Sequence, residues 1–431
     1  MPSWLNRPLS LADTINIALQ QNGTILRGKS DLEAQYGVVV QTRAIAIPHV
    51  QANGNYQYTT EVEHFPAFNF GNINVPIFPV IHNTWAADIE VVQTIYSGGQ
   101  IISSLRSAGL TKQQAILQYQ TVVADSLLQV RVAYYDVLQA EEQVTVEEAS
   151  VKLLSEQAED QRRRLDAGTV PRFNVLQAEV ELANERPRLI RARNAYRIAK
   201  NNLVNQLGSH LPAQVLEDVP LQLTDKLDDA PYDIDLPVAI GKALENRTEL
   251  ASLRQVEALR KEGVVIAKSG YKPSVQIFGE YGGRNAEFIS PDPAYAIHGA
   301  TAGVQVSWNI FDGFLTRGKI QQANALYSGS KVDVDNETRS IELEVRTDYS
   351  DFIEARETLE SQKKVQEEAE EALRLAKARS DAGTGTQLDV LSAQTSLTQA
   401  RSTQVQALHD YDVARARLER AMGINIMQTA K

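Results

Sequence analysis

The sequence predicts an α+β membrane protein in which four membrane-length β-strands and two long helical coiled-coil hairpins come from one unit written twice. Three observations predict it. The two halves match at constant spacing. Apolar seams of coiled-coil periodicity persist for about 70 residues without a proline. Four runs of alternating polar and apolar residues have about ten residues each, the length of a transmembrane strand.

The repeat is read residue by residue. Arg131, Tyr134, Asp136 and Ala140 recur as Arg346, Tyr349, Asp351 and Ala355, each 215 positions on (346 − 131). The same interval carries Asp166-Ala167-Gly168-Thr169 onto Asp381-Ala382-Gly383-Thr384, Gly98 onto Gly313 and Gly208 onto Gly423. Upstream the interval becomes 225 (273 − 48), as Pro48 and Pro273 show, so a loop in the first copy is enlarged. Residues 1–208 form the first repeat and 236–431 the second, with a Pro- and Asp-rich linker over 209–235.

Each repeat opens with a helix, expected near Leu9 to Ala46 and Leu236 to Lys268. A strand pair follows, at 49–60 and 84–95 in the first copy and at 273–282 and 299–310 in the second. Val50, Ala52, Gly54, Tyr56 and Tyr58 oppose Gln51, Asn53, Asn55, Gln57 and Thr59, one face suited to lipid and the other to water. Trp85, Ala87, Ile89, Val91 and Ile95 oppose Asp88, Glu90 and Thr94; Val275, Ile277 and Tyr281 oppose Ser274, Gln276 and Glu280. Ala300, Ala302, Val304, Val306, Trp308 and Ile310 oppose Thr301, Gln305, Ser307 and Asn309. Tyr58, Tyr281, Trp85 and Trp308 suit interfacial aromatic girdles, and the enlarged loop, near Glu63 to Val80, is expected to face the cell exterior.

Helical hairpins complete the repeats, at 98–207 and 313–422. Val123, Leu127, Val130, Tyr134, Val137, Val144 and Val151 keep a three-four or seven-residue spacing, as do Val345, Tyr349, Phe352, Leu359 and Leu373. Helices of this span are on the order of 100 Å long, so they line something elongated. The returning helices, about Arg172 to Leu207 and Gln387 to Met422, have half that length, and the opening helices supply what is missing by stacking end to end on them. The linker then forms a belt at mid-height.

A soluble antiparallel sheet with one wet face is the plainer reading of the strands. The long helices spend their apolar seams on each other, however, and leave the sheet no partner surface. Four strands cannot close a barrel, and an open edge in lipid leaves backbone groups unpaired. Closure therefore demands oligomerisation, with two, three or more copies allowed.

Composition narrows the function. Lys and Arg number 43 against 54 Asp and Glu, a formal charge of −11, which argues against nucleic acid as a partner. The chain has no cysteine, which removes disulfides, thiolate metal sites and a lipidated cysteine from this form of it. No apolar run is long enough for a membrane-spanning helix, and the N-terminus lacks signal-peptide layout, so either the protein is cytosolic or the chain is mature with its signal removed; the strands favour the second. The six histidines never fall at i, i+4 spacing, and there is no phosphate-cradling loop and no nucleophile elbow. Neither a cofactor nor catalysis is expected.

The duplicated layout, with turns Leu165-Asp166-Ala167-Gly168-Thr169-Val170-Pro171-Arg172-Phe173-Asn174-Val175-Leu176 and Ser380-Asp381-Ala382-Gly383-Thr384-Gly385-Thr386-Gln387-Leu388-Asp389-Val390-Leu391, resembles the TolC family of outer-membrane efflux proteins over nearly the whole chain. The resemblance implies a homotrimer, a 12-stranded barrel with four strands per chain, and a periplasmic helical barrel. It also implies a bacterial outer-membrane location, a periplasmic membrane-fusion adaptor and an inner-membrane pump as partners, and no enzymatic activity. The function it implies is a passive exit duct for efflux or type I secretion.

Glycines at 168 and 383 suit the left-handed residue that ends a helix. The resemblance adds that Gly168, Thr169, Val170, Pro171, Gly383, Thr384, Gly385 and Thr386 are adaptor-docking tips. Asp389 stands at the family's tip carboxylate and would form an acidic ring at the periplasmic aperture. Ser392 occupies the place of a second family carboxylate, and Asn174 corresponds to Asp389 in the first copy, so the ring is reduced. Asp389 also suits a helix N-terminus with no ring at all. Arg162, Arg163, Arg164 and Arg172 form either a solvated cluster or a latch onto acids of the second hairpin or a neighbouring chain. The competing function is a soluble elongated coiled-coil scaffold or adhesin stalk, which explains the heptads but not the four strands.

Overall fold

The computed structural model describes residues 3–60, 68–70, 73–75, 83–209, 218–285 and 296–424. Its elements are α1 (Leu11–Gln21), α2 (Gly23–Arg43), β1 (His49–Tyr58), β2 (Phe68–Phe70), β3 (Ile73–Val75) and β4 (Asn83–Ser97). They continue as α3 (Gln100–Asp166), α4 (Arg172–Gln206), α5 (Leu236–Asn246), α6 (Thr248–Ser269), β5 (Ser274–Asn285), β6 (Ala296–Ser307), α7 (Leu315–Asp381) and α8 (Gln387–Ala421). Two compact units result, one of Met1–Leu32, Ile116–Ser252 and Asp335–Lys431, the other of Glu33–Ala115 and Leu253–Val334.

The second unit holds one antiparallel sheet in the order β1-β4-β5-β6. Its middle pair joins the two halves of the chain, with Ile89 opposite Tyr281 and Glu90 opposite Glu280. On one face Gln51 donates to Glu90 at 2.8 Å and Asn53 to Asp88 at 2.9 Å. The other carries Val50, Ile89, Ile277, Val304 and Val306, all exposed in the single chain. Period-two alternation put these residues on opposite faces, as the sequence predicts.

The strand ends differ from expectation. A bulge between Thr94 and Tyr96 leaves Ile95 out of register and pairs Tyr96 with Val275, so Tyr96 continues the face assigned to Ile95. The last strand runs from Ala296 to Ser307 rather than over 299–310. It stops there because its partner β5 begins at Ser274, opposite Ser307, after Pro273, which has no N–H to give the ladder; beyond it the Trp308 indole donates to the Tyr271 carbonyl at 3.1 Å, and Gly313 and Phe314 are left-handed. Of the enlarged first loop, only β2 and β3 are described, as a short antiparallel pair; Phe65, Pro66, Pro76, Phe78 and Pro79 lie outside the described residues. So does 210–217 of the linker and the end of the second repeat beyond 424.

In the first unit the seams meet. Leu127, Val130, Tyr134 and Val137 of α3 bury against Leu203 of α4 and Leu207 just after it, Ile15 and Ala18 of α1, and Val413 and Ala416 of α8. A smaller cluster of Leu373, Val390 and Leu397 joins α7 to α8 nearer the turns. Between them the interior is polar. The Ser150 hydroxyl donates to Glu185 at 2.6 Å and the Thr398 hydroxyl reaches Ser150 at 3.1 Å, all three side chains being buried. Glu147 is buried nearby, and burial raises its pKa.

The opening helices are not continuous. Each breaks, at Asn22 and at Arg247, where a returning helix ends. The Asn22 amide donates to the Gln206 carbonyl at 2.5 Å, and its oxygen accepts from Thr24 and Ile25 N–H at 2.9 and 3.1 Å, capping α2. Arg247 holds Glu344 through two bonds at 3.0 and 2.8 Å. All four hairpin helices end in a glycine of positive φ: Gly168 at 72°, Gly208 at 75°, Gly383 at 70° and Gly423 at 67°.

Charge is buried where these helices cross. Arg131 and Glu419 pair at 2.5 Å with both side chains buried, and Arg415 joins Glu419 at 3.1 Å. Such a pair adds little stability over an apolar one but is destructive to break. The linker lies over this region. Leu9 N–H donates to the Gln222 carbonyl at 2.9 Å, the Tyr134 hydroxyl to Asp225 at 2.9 Å, and the Tyr411 hydroxyl to the Ala230 carbonyl at 2.7 Å. His409 bridges α8 to α3, with its ring nitrogens 2.8 Å from Asp136 and 3.0 Å from Asp410. Burial opposes its charged form, yet the hydrogen bonds and charges of Asp136 and Asp410 prevail and raise its pKa above the ordinary 6.5. Asp351, Glu354 and Arg417 face the same cavity.

Two outcomes follow for urea unfolding of the solubilised protein. A Cβ at Gly208 would lie 2.1 Å from the Gln21 carbonyl oxygen, whereas one at Gly168 meets nothing within 4 Å. Gly168→Ala is therefore expected to lose about 1–2 kcal/mol, the penalty of a left-handed alanine, and Gly208→Ala distinctly more. Because the folded pKa of His409 is raised, its stabilisation is complete below the unfolded value and is lost as pH rises through the folded one. The wild-type midpoint is expected to fall relative to that of His409→Gln as pH increases above 6.5.

Candidate functional site

The two turns joining α3 to α4 and α7 to α8 are built alike at their entries. Gly168 N–H donates to the Leu165 carbonyl and Thr169 N–H to that of Arg164, both at 2.9 Å; Gly383 N–H donates to Ser380 at 3.1 Å and Thr384 N–H to Arg379 at 2.9 Å. These bonds satisfy the last carbonyls of each long helix. The Thr169 and Thr384 hydroxyls add bonds of 2.8 and 3.2 Å to the same Arg164 and Arg379 carbonyls. Gly168, Thr169, Pro171, Gly383, Thr384 and Thr386 are exposed; Val170 and Gly385 are half-buried.

Their exits differ. Pro171 precedes α4 and offers no side-chain cap, and Asn174 is held by a backbone bond to the Pro171 carbonyl at 3.1 Å. Thr386 and Asp389 form a capping box: Thr386 N–H donates to the Asp389 carboxylate at 2.9 Å and Asp389 N–H to the Thr386 hydroxyl at 3.2 Å. The hydrogen bonds from Thr386 hold the Asp389 carboxyl below the usual carboxylate range, so it stays ionised. Asp389 and Ser392 lie three residues apart on an exposed face of α8. The capping box was legible as Thr-x-x-Asp before an apolar pair, and sequence reasoning passed it over.

Of the four arginines, one joins the two turns. Arg164 binds Asp381 of the second hairpin at 3.0 Å and Asp160 of its own helix at 2.7 Å. Its hydrogen bond to Asp381 raises its pKa further. Arg162 turns back to Glu179 of its own hairpin at 2.5 Å, and Arg163 to Asp160 at 3.5 Å. Arg172 is exposed and has no ion-pair partner among the described residues. Gln161 donates to Gln387 at 3.2 Å beside Arg164, and a cavity of about 270 Å³ separates the two turns here, lined by Asp160, Gln161, Arg164, Lys377, Asp381 and Gln387 among others. The arrangement holds charge and hydrogen bonds but nothing that resembles a nucleophile with its base. Among the described residues no cluster of His, Asp or Glu suits a metal ion.

The family described as Outer membrane efflux protein matches the chain twice, over residues 14–209 and 239–424. The outer membrane protein TolC of Escherichia coli strain K12 is 22% identical over 438 residues, covering 98% of this chain and 83% of that one. The crystal structure of the outer membrane protein VceC from Vibrio cholerae aligns with a TM-score of 0.76 at 17% identity, over 96% of each chain. The Campylobacter jejuni CmeC outer membrane channel aligns with a TM-score of 0.79 at 14% identity, over 98% of this chain and 89% of that one. At these identities the structures speak for the fold, and the double family match speaks for descent. On that match, which takes in both hairpins and both strand pairs, the chain belongs to the outer membrane efflux protein family.

Proposed function

We propose that this chain is one protomer of a homotrimeric, passive exit duct of the bacterial outer membrane. A periplasmic membrane-fusion adaptor and an inner-membrane pump feed it in efflux or type I secretion, and the energy is the pump's. One observation carries the reading: the sheet is bare on both faces and open at both edges in the single chain. Val50 is 67% exposed and Val304 64% exposed, and no described strand pairs the outer side of β1 or β6. A soluble sheet would bury one face on a core. Three copies, joined edge to edge from β6 to β1, make a 12-stranded barrel with lipid outside and water within. No described helix is long and apolar enough to cross a membrane, which leaves the strands to do it.

The repeated order of helix, strands and long hairpin supports an internal duplication, with the linker at 209–235 as a belt between the copies. The two turns are then the periplasmic end, where Gly168 to Pro171 and Gly383 to Thr386 meet the adaptor. Asp389 supplies one carboxylate per copy to a ring at the aperture, flanked by Ser392 and, in the first copy, by Asn174. An acidic ring favours cations. The Arg164–Asp381 pair ties the two hairpins of one protomer together at this end, and as an exposed pair it holds weakly.

Single-channel conductance of the detergent-purified oligomer in a planar bilayer tests this. Asp389→Asn keeps an acceptor for the capping box while removing the charge, and is expected to keep the conductance and lower the cation preference. Arg164→Met is expected to raise conductance or open time by up to about fivefold, the worth of an exposed pair. Conductance indifferent to both substitutions would discard the ring and the latch and keep the duct. A protein that stays in solution without detergent and gives no conductance would favour the coiled-coil scaffold.

A further inference from the structure

The segment from β6 to α7 carries a strain that its counterpart avoids. Gly313 lies at φ 64° and Phe314 at φ 68°, and Phe314 is the one non-glycine residue of positive φ among those described. At the repeat interval the first copy has Gly98 and Gly99, at φ 64° and 99°. A Cβ in the left-handed region crowds the following carbonyl, so glycine would be relaxed at 314 and phenylalanine is not. Burial gives nothing back. Phe314 is 65% exposed and meets Phe311 edge-on at 5.6 Å; Phe311 is itself 75% exposed and Ile310 86%. The Asp312 carboxylate fixes the turn by accepting from Thr316 N–H at 2.8 Å. Strain of this kind persists where the side chain has a use.

Charge at the same place points to that use. The chain is acidic overall, yet the helix ends that meet the sheet carry exposed cations: Arg43 ending α2, Lys268 in α6, Lys272 before β5, and Arg317 and Lys319 in the first turns of α7. None has an ion-pair partner among the described residues. The apolar face of β6, through Val304 and Val306, runs directly into Trp308 and this segment. Aromatic residues beside unpaired cations suit the level of lipid headgroups.

We propose that the β6–α7 junction is a collar for anionic phospholipid, with Phe311 and Phe314 entering the acyl chains of the periplasmic-facing leaflet and Lys272, Arg317 and Lys319 binding phosphate headgroups. The collar rests on the reading of the sheet as a membrane barrel. Phe314 accepts a strained backbone because the turn that strains it also aims the ring outward, beyond the last strand residue.

The absence of cysteine allows a single labelled site. Phe314→Cys, carrying an environment-sensitive fluorophore, is reconstituted into phosphatidylcholine vesicles with and without phosphatidylglycerol. The collar predicts quenching by a lipid bearing a nitroxide near its headgroup and protection from aqueous iodide. It also predicts that Lys272→Gln with Arg317→Gln and Lys319→Gln slows incorporation into phosphatidylglycerol vesicles roughly fivefold for each charge removed, leaving phosphatidylcholine vesicles unaffected. Iodide quenching overturns the proposal; protection from both quenchers overturns it too and assigns the segment to a neighbouring copy. The same label at Val304→Cys separates the two readings. Lipid quenching at 304 without it at 314 keeps the barrel and removes the collar, and no lipid quenching at either position removes both.

Discussion

The backbone groups along the outer edges of β1 and β6 set the terms for the rest of the molecule. In water such an edge invites indiscriminate pairing, and in hydrocarbon it is prohibitive. This chain builds four strands and then stops, with the pairing of β4 to β5 spent on joining its own two halves. The remaining edges have no partner among the described strands, and the proposed trimer is the arrangement that satisfies them. The helices have a complementary task. Their apolar residues go into seams with one another, and the sheet's apolar face stays exposed in the single chain.

What could be read in advance follows the range of the interactions. Period-two strands, heptad seams and the glycines at 168 and 383 are local patterns, and each appears in the fold, with the strand ends shifted by a few residues. The breaks at Asn22 and Arg247 were not readable. The Asn22 amide donates to the Gln206 carbonyl, and Arg247 is anchored by Glu344, partners far away in sequence. The bulge at Thr94 to Tyr96 depends on the register of β5, and the polar interior of Glu147, Ser150, Glu185 and Thr398 interrupts seams that sequence periodicity treats as uniform. At the turns the residue types were legible, but the division of labour among the arginines was not. That Arg164 crosses to Asp381 while Arg162 returns to Glu179 depends on how two hairpins lie side by side.

The two halves of the chain differ in specific ways. Thr386 and Asp389 cap α8, whereas Pro171 and Asn174 give α4 no such cap. Gly98 and Gly99 relax a turn that Gly313 and Phe314 strain. Glu419 is buried against Arg131 of the first copy, while Arg346, the second copy's equivalent of Arg131, is exposed. Two halves with the same order of elements thus differ at their helix ends and in the charges they bury.

The pairing of β4 with β5 also bears on how the chain is made. Ala86 lies opposite Arg284, so the central ladder closes only after nearly two hundred residues have emerged. The hairpins, whose partners are near in sequence, can form first, while loop-closure entropy delays the sheet. During that interval each hairpin is folded and each strand pair is an unprotected template for aggregation. The sheet is therefore expected to be the last element of the chain to close, and its strands stay exposed until it does.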